Sequence, residues 1–259
     1  MSAPSQPSES GDALLGSPLP PALSVGIVTL FPELFETFLG TSFIGKARAD
    51  GQLLVHLEHL REQGLGKHKS VDDTPYGGGA GMVMRVDCTV RAIESAEARC
   101  GFHPKGRRAL LTPQGRVFNQ AKAQSWAKEG ELILICGRYE GFDERIREFV
   151  DEEVSIGDFI LMGGEVPAML ILEACTRLIG GVLGNADSTR DESFSPSRAG
   201  MLEYPQYTRP QEFRGHAVPD VLRGGDHAKI EAWRQRESCV RTRARRPDLL
   251  DVEPSGGKS

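Results

Sequence analysis

The chain is short of the features that most quickly assign a protein to a class. Its 259 residues include five cysteines, Cys88, Cys100, Cys136, Cys175 and Cys239, an odd number with no C-x-x-C pair. That pattern argues against a disulfide framework or a zinc ribbon and fits a reducing, cytoplasmic setting. No run approaches the roughly 20 uninterrupted apolar residues of a membrane span, so no membrane partner is expected. Neither G-x-G-x-x-G nor G-x-x-x-x-G-K-[ST] occurs, which argues against a Rossmann dinucleotide site and a P-loop. The first 22 residues, MSAPSQPSESGDALLGSPLPPA, contain no Lys or Arg and no long apolar core. They do not resemble a secretory signal, and their Ser, Pro, Gly and Ala content reads as a disordered extension over 1–22.

What is present is a globular composition: 39% hydrophobic residues, enough for a real core. LSVGIVTL (23–30) is β-rich and closed by Phe31-Pro32, after which PELFETFLG reads as a short helix with proline in its first turn. LLVHLEHL (53–60), RRALLT (107–112), ELILIC (131–136) and residues 152–155 are further strand candidates. Residues 86–100, the amphipathic FNQAKAQSWAKE (118–129) and EVPAMLILEACTRLI (165–179) have helical character. Strands alternating with helices imply an α/β fold with a mostly parallel sheet. The 165–179 helix is apolar almost all round, which favours a subunit interface. Residues 180–198 are polar and aperiodic, and a helix is expected around 226–240.

Charge is divided unevenly. Residues 197–259 hold 12 Lys+Arg against 9 Asp+Glu, a balance of +3, within a chain of net charge -5. The densest basic run contains Arg234, Arg236, Arg241, Arg243, Arg245 and Arg246 against the single Glu237, a cluster suited to a phosphate backbone. Residues 64–84 form a long loop with Gly77, Gly78, Gly79 and Gly81, preceded by Lys67, His68, Lys69 and Tyr76. Bare backbone, basic groups and an aromatic suit a nucleobase held outside its helix. His56-x-x-His59 and Cys100 with His103 have metal-like spacing. Residues three apart on a strand face opposite ways, however, and no metal ligand is assigned.

Three glycine-punctuated turns follow the three best strands: Thr112–Gly115, Gly137–Gly141, and Ile156-Gly157-Asp158 with Gly163-Gly164. Ligands of open parallel sheets sit beyond the carboxyl ends of the strands, so the three turns together could make one pocket.

These segments, VDDTPYGGGAGM, TPQGR, CGRYEGFDER, SIGDFILMGGEVPAM, GVLGN and YTRP, resemble in order and spacing the bacterial tRNA (guanine-N1)-methyltransferases, the TrmD family of the SPOUT superfamily, over roughly 24–250. The resemblance implies a SPOUT-type parallel sheet with a deep trefoil knot, an obligate homodimer and a small, mainly helical C-terminal domain. It divides the chain into a knotted cofactor-binding domain (23–184), a linker (185–198) and a tRNA-binding segment (199–259) that includes Tyr207, Thr208 and Arg209. It implies S-adenosyl-L-methionine bound by Pro113, Gly115, Gly137, Tyr139, Glu140, Gly141, Ser155, Ile156, Gly157, Asp158, Phe159, Ile160, Leu161, Gly163, Gly164 and Pro167. The implied product is tRNA carrying 1-methylguanosine at position 37, beside the anticodon. Magnesium enters as a promoting ion by resemblance alone, since no carboxylate cluster marks a site.

Guanine N1 carries a proton at neutral pH, so methyl transfer to it needs a base, and negative charge then grows on O6; a carboxylate and an arginine meet those needs. The resemblance places the arginine at Arg177. Its acid belongs to an Asp-Ser-Phe triplet, where this chain reads Asp191-Glu192-Ser193-Phe194. Ungapped alignment sets Glu192 at the acid position, with Asp191 as the competing neighbour. Two other readings stand beside this one: a SPOUT methyltransferase acting on another RNA nucleotide, such as a ribose hydroxyl, and a noncatalytic RNA-binding module that keeps the knot as scaffold.

Overall fold

Parallel pairing around a fully buried first strand organises the chain. The computed structural model describes residues 20–102, 106–184 and 191–250. The extension expected over 1–22 therefore lies outside the described residues except for its last three positions. Residues 185–190 of the linker, His103 and the tail from 251 lie outside them too.

The strands are β1 (Leu23–Thr29), β2 (Leu53–His59), β3 (Asp72–Asp73), β4 (Val83–Met84), β5 (Arg107–Val117), β6 (Glu131–Cys136), β7 (Glu152–Ser155), β8 (Glu212–Phe213) and β9 (His216–Ala217). The helices are α1 (Glu36–Gly40), α2 (Ser42–Ala49), α3 (Val86–Cys100), α4 (Gln120–Glu129), α5 (Glu165–Thr176) and α6 (His227–Arg245). The main sheet is five-stranded and parallel in the order β2-β1-β6-β5-β7. Two short antiparallel pairs, β3-β4 and β8-β9, stand apart from it.

The period of two along each central strand divides the core. Leu23, Val25 and Ile27 of β1, with Leu132, Leu134 and Cys136 of β6, pack with α1, α2, α4 and α5 on one face. Val28, Ile133 and Ile135 face the other way, against Cys88, Ala92, Ile93 and Ala96 of α3. Helices on both faces explain why these strands read as continuous apolar runs and not as alternating ones.

Local chemistry sets the helix ends. Asn119 Oδ1 accepts from Lys122 N at 3.0 Å to cap α4, which stops at Gly130 in the left-handed region. Gly101 closes α3 in the same conformation.

The expected strands and long helices are present, with three changes of extent. β5 continues to Val117, beyond the Thr112–Gly115 turn expected to end it: Leu111 and Arg116 both lie opposite Val154, so the strand bulges out and rejoins β7. α6 runs five residues past the expected 240, and α5 ends at Thr176, short of 179. The loop around 64–84 contains β3 and β4, and α2 had no clear sequence signature. No helix among the described residues is long and apolar enough to cross a membrane.

All five cysteines are free thiols. Burial pushes the Cys175 thiol up to about 12 and raises the fully enclosed Cys136 well above its ordinary value. Both therefore stay protonated and shielded at neutral pH. Iodoacetamide at pH 8 should alkylate the half-buried Cys239 in the native protein and leave Cys136 and Cys175 unmodified until denaturant is added, as peptide mass mapping would show.

Candidate active site

The bulge of β5 at Thr112–Gln114 and the turns that follow β6 and β7 meet in one cleft of about 440 Å³. Of the residues expected to hold a cofactor, Pro113, Gly137, Tyr139, Glu140, Gly141, Ser155, Ile156, Gly157, Phe159, Ile160, Leu161, Gly163, Gly164 and Pro167 all line it. Gly115 and Asp158 do not. A Cβ on Gly115 would strike the backbone of Glu153 and Val154, so this glycine permits β5 to rejoin β7 closely.

Close backbone approach shapes the cleft floor. A Cβ on Gly164 would lie 2.6 Å from Cys136 Cα and 2.9 Å from Gly137 N, and Gly164 N donates to Gly137 O at 2.9 Å. The glycine breaks flanking the apolar insert 159–162 thus serve two geometries. Gly157 turns the chain through the left-handed region (φ 144°), and Gly164 lets the start of α5 rest on the end of β6. Ser155 Oγ accepts from Gly157 N at 3.1 Å and fixes the first turn.

Arg138 was not singled out from sequence, yet it organises one wall. Its guanidinium donates to Met162 O at 3.3 Å, pairs with Glu165 at 3.0 Å and lies 4.4 Å from the centroid of the Phe31 ring. Glu165 is buried at the start of α5 and also accepts from Thr29 Oγ1 at 2.9 Å. This network ties the tip of β1 to the cleft; Arg138 and Glu165 lay in the noted segments CGRYEGFDER and SIGDFILMGGEVPAM, whereas Thr29 and Phe31 did not. Gln114, Asp143, Glu144 and Arg147 also line the cleft, and Arg145 beside Asp143 holds that carboxyl below its usual range.

The glycine loop docks beside this wall. Glu140 N donates to Met82 O at 3.0 Å and Met84 N to Gly141 O at 2.9 Å, while Tyr76 stands fully exposed.

Arg177 follows the last turn of α5 and forms a two-pronged pair with Glu192, Nη1 to Oε1 at 2.8 Å and Nη2 to Oε2 at 2.5 Å. The carboxylate raises the Arg177 guanidinium above its usual value, mainly through these hydrogen bonds. Asp191 points elsewhere: its carboxylate is 3.7 Å from Arg198 and largely exposed. The structure thus brings Arg177 and Glu192 together, but neither is among the residues that line the cleft in a single chain.

Residues 23–252 match the family model described as tRNA (Guanine-1)-methyltransferase TrmD. The chain belongs to the TrmD family. Among its relatives is the tRNA (guanine-N(1)-)-methyltransferase of Sorangium cellulosum (strain So ce56), 56% identical over 245 residues that cover 88% of this chain and 93% of the relative. Proteins of the same name from Anaeromyxobacter dehalogenans (strain 2CP-C) and Myxococcus xanthus (strain DK1622) are 52% and 51% identical, again over 88% of this chain and over 91% of each relative. The TrmD match takes in the cleft, the Arg177–Glu192 pair and α6.

Among the described residues, no group of three or more His, Cys, Asp and Glu could hold a metal ion. His56 lies 3.2 Å from Glu58 on β2, in an ordinary side-chain contact.

Gly164→Ala should lower the unfolding free energy by about 1–3 kcal/mol, since the new methyl meets backbone that cannot yield. Gly180→Ala, with open space at its Cβ, serves as the control in the same denaturant titration.

Proposed function

We propose that this chain transfers a methyl group from S-adenosyl-L-methionine to N1 of guanosine 37 in tRNA. The observation that carries the reading is the pairing of Glu192 with Arg177, an acid and a cation of the kinds that deprotonation at N1 and charge at O6 require. Family membership and the names of the relatives support the substrate and the reaction.

The cleft suits the proposed methyl donor. Its size lies within the usual range for small-molecule sites, it combines apolar walls from Ile156, Ile160, Leu161 and Pro167 with exposed backbone, and Glu140 adds a carboxylate. Bound there, S-adenosyl-L-methionine would supply an electrophilic methyl carried on a sulfonium. Glu192 accepts the N1 proton, and the Arg177 guanidinium faces the charge that grows on O6. The Gly77–Gly81 stretch, with Tyr76 exposed, receives the extruded base. The described residues do not assemble a magnesium site, and no step is assigned to a metal.

A homodimer fits the separation of the acid–arginine pair from the cleft, since a partner chain can bring one to the other. It also fits the exposed apolar side chains of Phe159, Ile160, Met162, Val166 and Leu170, which water would otherwise cover. We further read the path of the chain as a knot, a reading supported by the start of α5 lying against Gly137. Residues 199–259 form the tRNA-binding domain, 185–198 the linker to it, and α6 with its arginines holds the anticodon stem. Free thiols and a tRNA substrate support a cytoplasmic setting.

Single-turnover transfer to tRNA tests the roles of the two acids. Glu192→Gln should slow the reaction by about 10²–10⁴-fold, the scale of a general base, and Asp191→Asn should leave it near wild type. The reverse pattern would transfer the role to Asp191, and full activity in both would refute a carboxylate base.

A further inference from the structure

We propose that Arg198 is a positioning residue for Glu192, an inference that rests on the reading of Glu192 as the base. The Arg198 side chain is only 4% exposed, although arginine is rarely buried without partners. Its Nε donates to the backbone carbonyl of Asp191 at 2.7 Å, the peptide that leads directly into Glu192. Its Nη2 lies 3.7 Å from Asp191 Oδ1, and its Cζ sits 4.6 Å from the centroid of the Tyr204 ring.

The peptide on the other side of Glu192 is also held: Ser195 N donates to Glu192 O at 3.2 Å. One residue further on, Glu203 N donates to Ser193 Oγ at 2.9 Å. With both flanking carbonyls engaged, the backbone at Glu192 has one conformation, and its carboxylate meets Arg177 at two points. A hydrogen bond to a carbonyl, a nearby carboxylate and a ring contact are more than burial of an arginine stem needs. Together they immobilise the one residue whose direction decides whether a proton can be taken.

The anchor continues into α6. Arg234 lies 4.7 Å from the same Tyr204 ring, Leu202 N donates to Thr242 Oγ1 at 3.0 Å, and Ser238 Oγ donates to Leu202 O. The acid-bearing turn is thus fastened to the basic helix and not left to the linker alone. Arg198 does not touch the reacting atoms, so its effect must pass through Glu192.

A double-mutant cycle on the full-length protein separates this role from a general structural one. Single-turnover methyl transfer to tRNA is measured for wild type, R198Q, E192Q and the double variant, with S-adenosyl-L-methionine affinity measured by calorimetry. R198Q should slow transfer by about 10²-fold, the cost of a misplacement on the order of 1 Å, without changing that affinity. In the E192Q background it should add almost nothing. R198K keeps the charge but loses the flat fork, and should be slowed less than R198Q with the same loss of effect beside E192Q. Where R198Q does not fold, the R198K cycle is read by the same criterion. A wild-type rate for R198Q, or effects of the two substitutions that multiply, would overturn the positioning role while leaving Glu192 as base. Full activity of E192Q itself would overturn the base assignment and, with it, this inference.

Discussion

The architecture depends on one close approach: the start of α5 resting on the end of β6, where Gly164 meets the Cys136–Gly137 backbone with no side chain between. Because that contact is backbone on backbone, it cannot be loosened by a rotamer change. It positions both ends of α5 at once. At the amino end, Glu165 enters the buried network with Thr29 and Arg138 that forms a wall of the cleft. At the carboxyl end, Ile171, Leu172 and Cys175 pack into the core beside β1 and β6 and bring Arg177 to the surface where Glu192 meets it. A helix that is apolar on nearly every side can satisfy these demands because one face fills the core and the other stays available for a partner.

Electrostatics is concentrated around the same elements. Arg138 bridges Glu165 and Met162 O across the cleft wall, and Arg177 holds Glu192 in a two-pronged grip. Fork geometry of this kind sets direction as well as charge, which a lysine in either place would not do. The cleft and the acid therefore have separate frames, one built by strand ends and the other by the turn over 191–204. Bringing them into register is the task that the proposed dimer performs.

Much of this was legible in the residues. The runs 23–30 and 131–136 marked strands because burial on both faces demands unbroken apolar side chains, and the glycine turns after 107–111, 131–136 and 152–155 pointed to one cleft. Of the glycine breaks, Gly164 meets backbone closely, whereas Gly157 and Gly163 have side chains as their neighbours, Phe159 for the one and Arg138 with Glu165 for the other. What was not legible depends on long-range contact. The return of β5 to β7 after Thr112–Gly115 required knowing that Val154 faces both Leu111 and Arg116. Arg198 looked like the end of the linker and Tyr204 was not singled out, because their contacts, a backbone carbonyl and a ring, leave no periodic trace. Gly115 looked like a ligand glycine within TPQGR, whereas its neighbours in space are the backbone of Glu153 and Val154.

The most direct test of the whole account is the identity of the methylated nucleoside. Purified protein would be incubated with methyl-labelled S-adenosyl-L-methionine and unmodified tRNA carrying guanosine at positions 36 and 37, and the product digested and separated. The account requires label in 1-methylguanosine at position 37. Label on a ribose or on another base, or no transfer while the cofactor still binds, would contradict it.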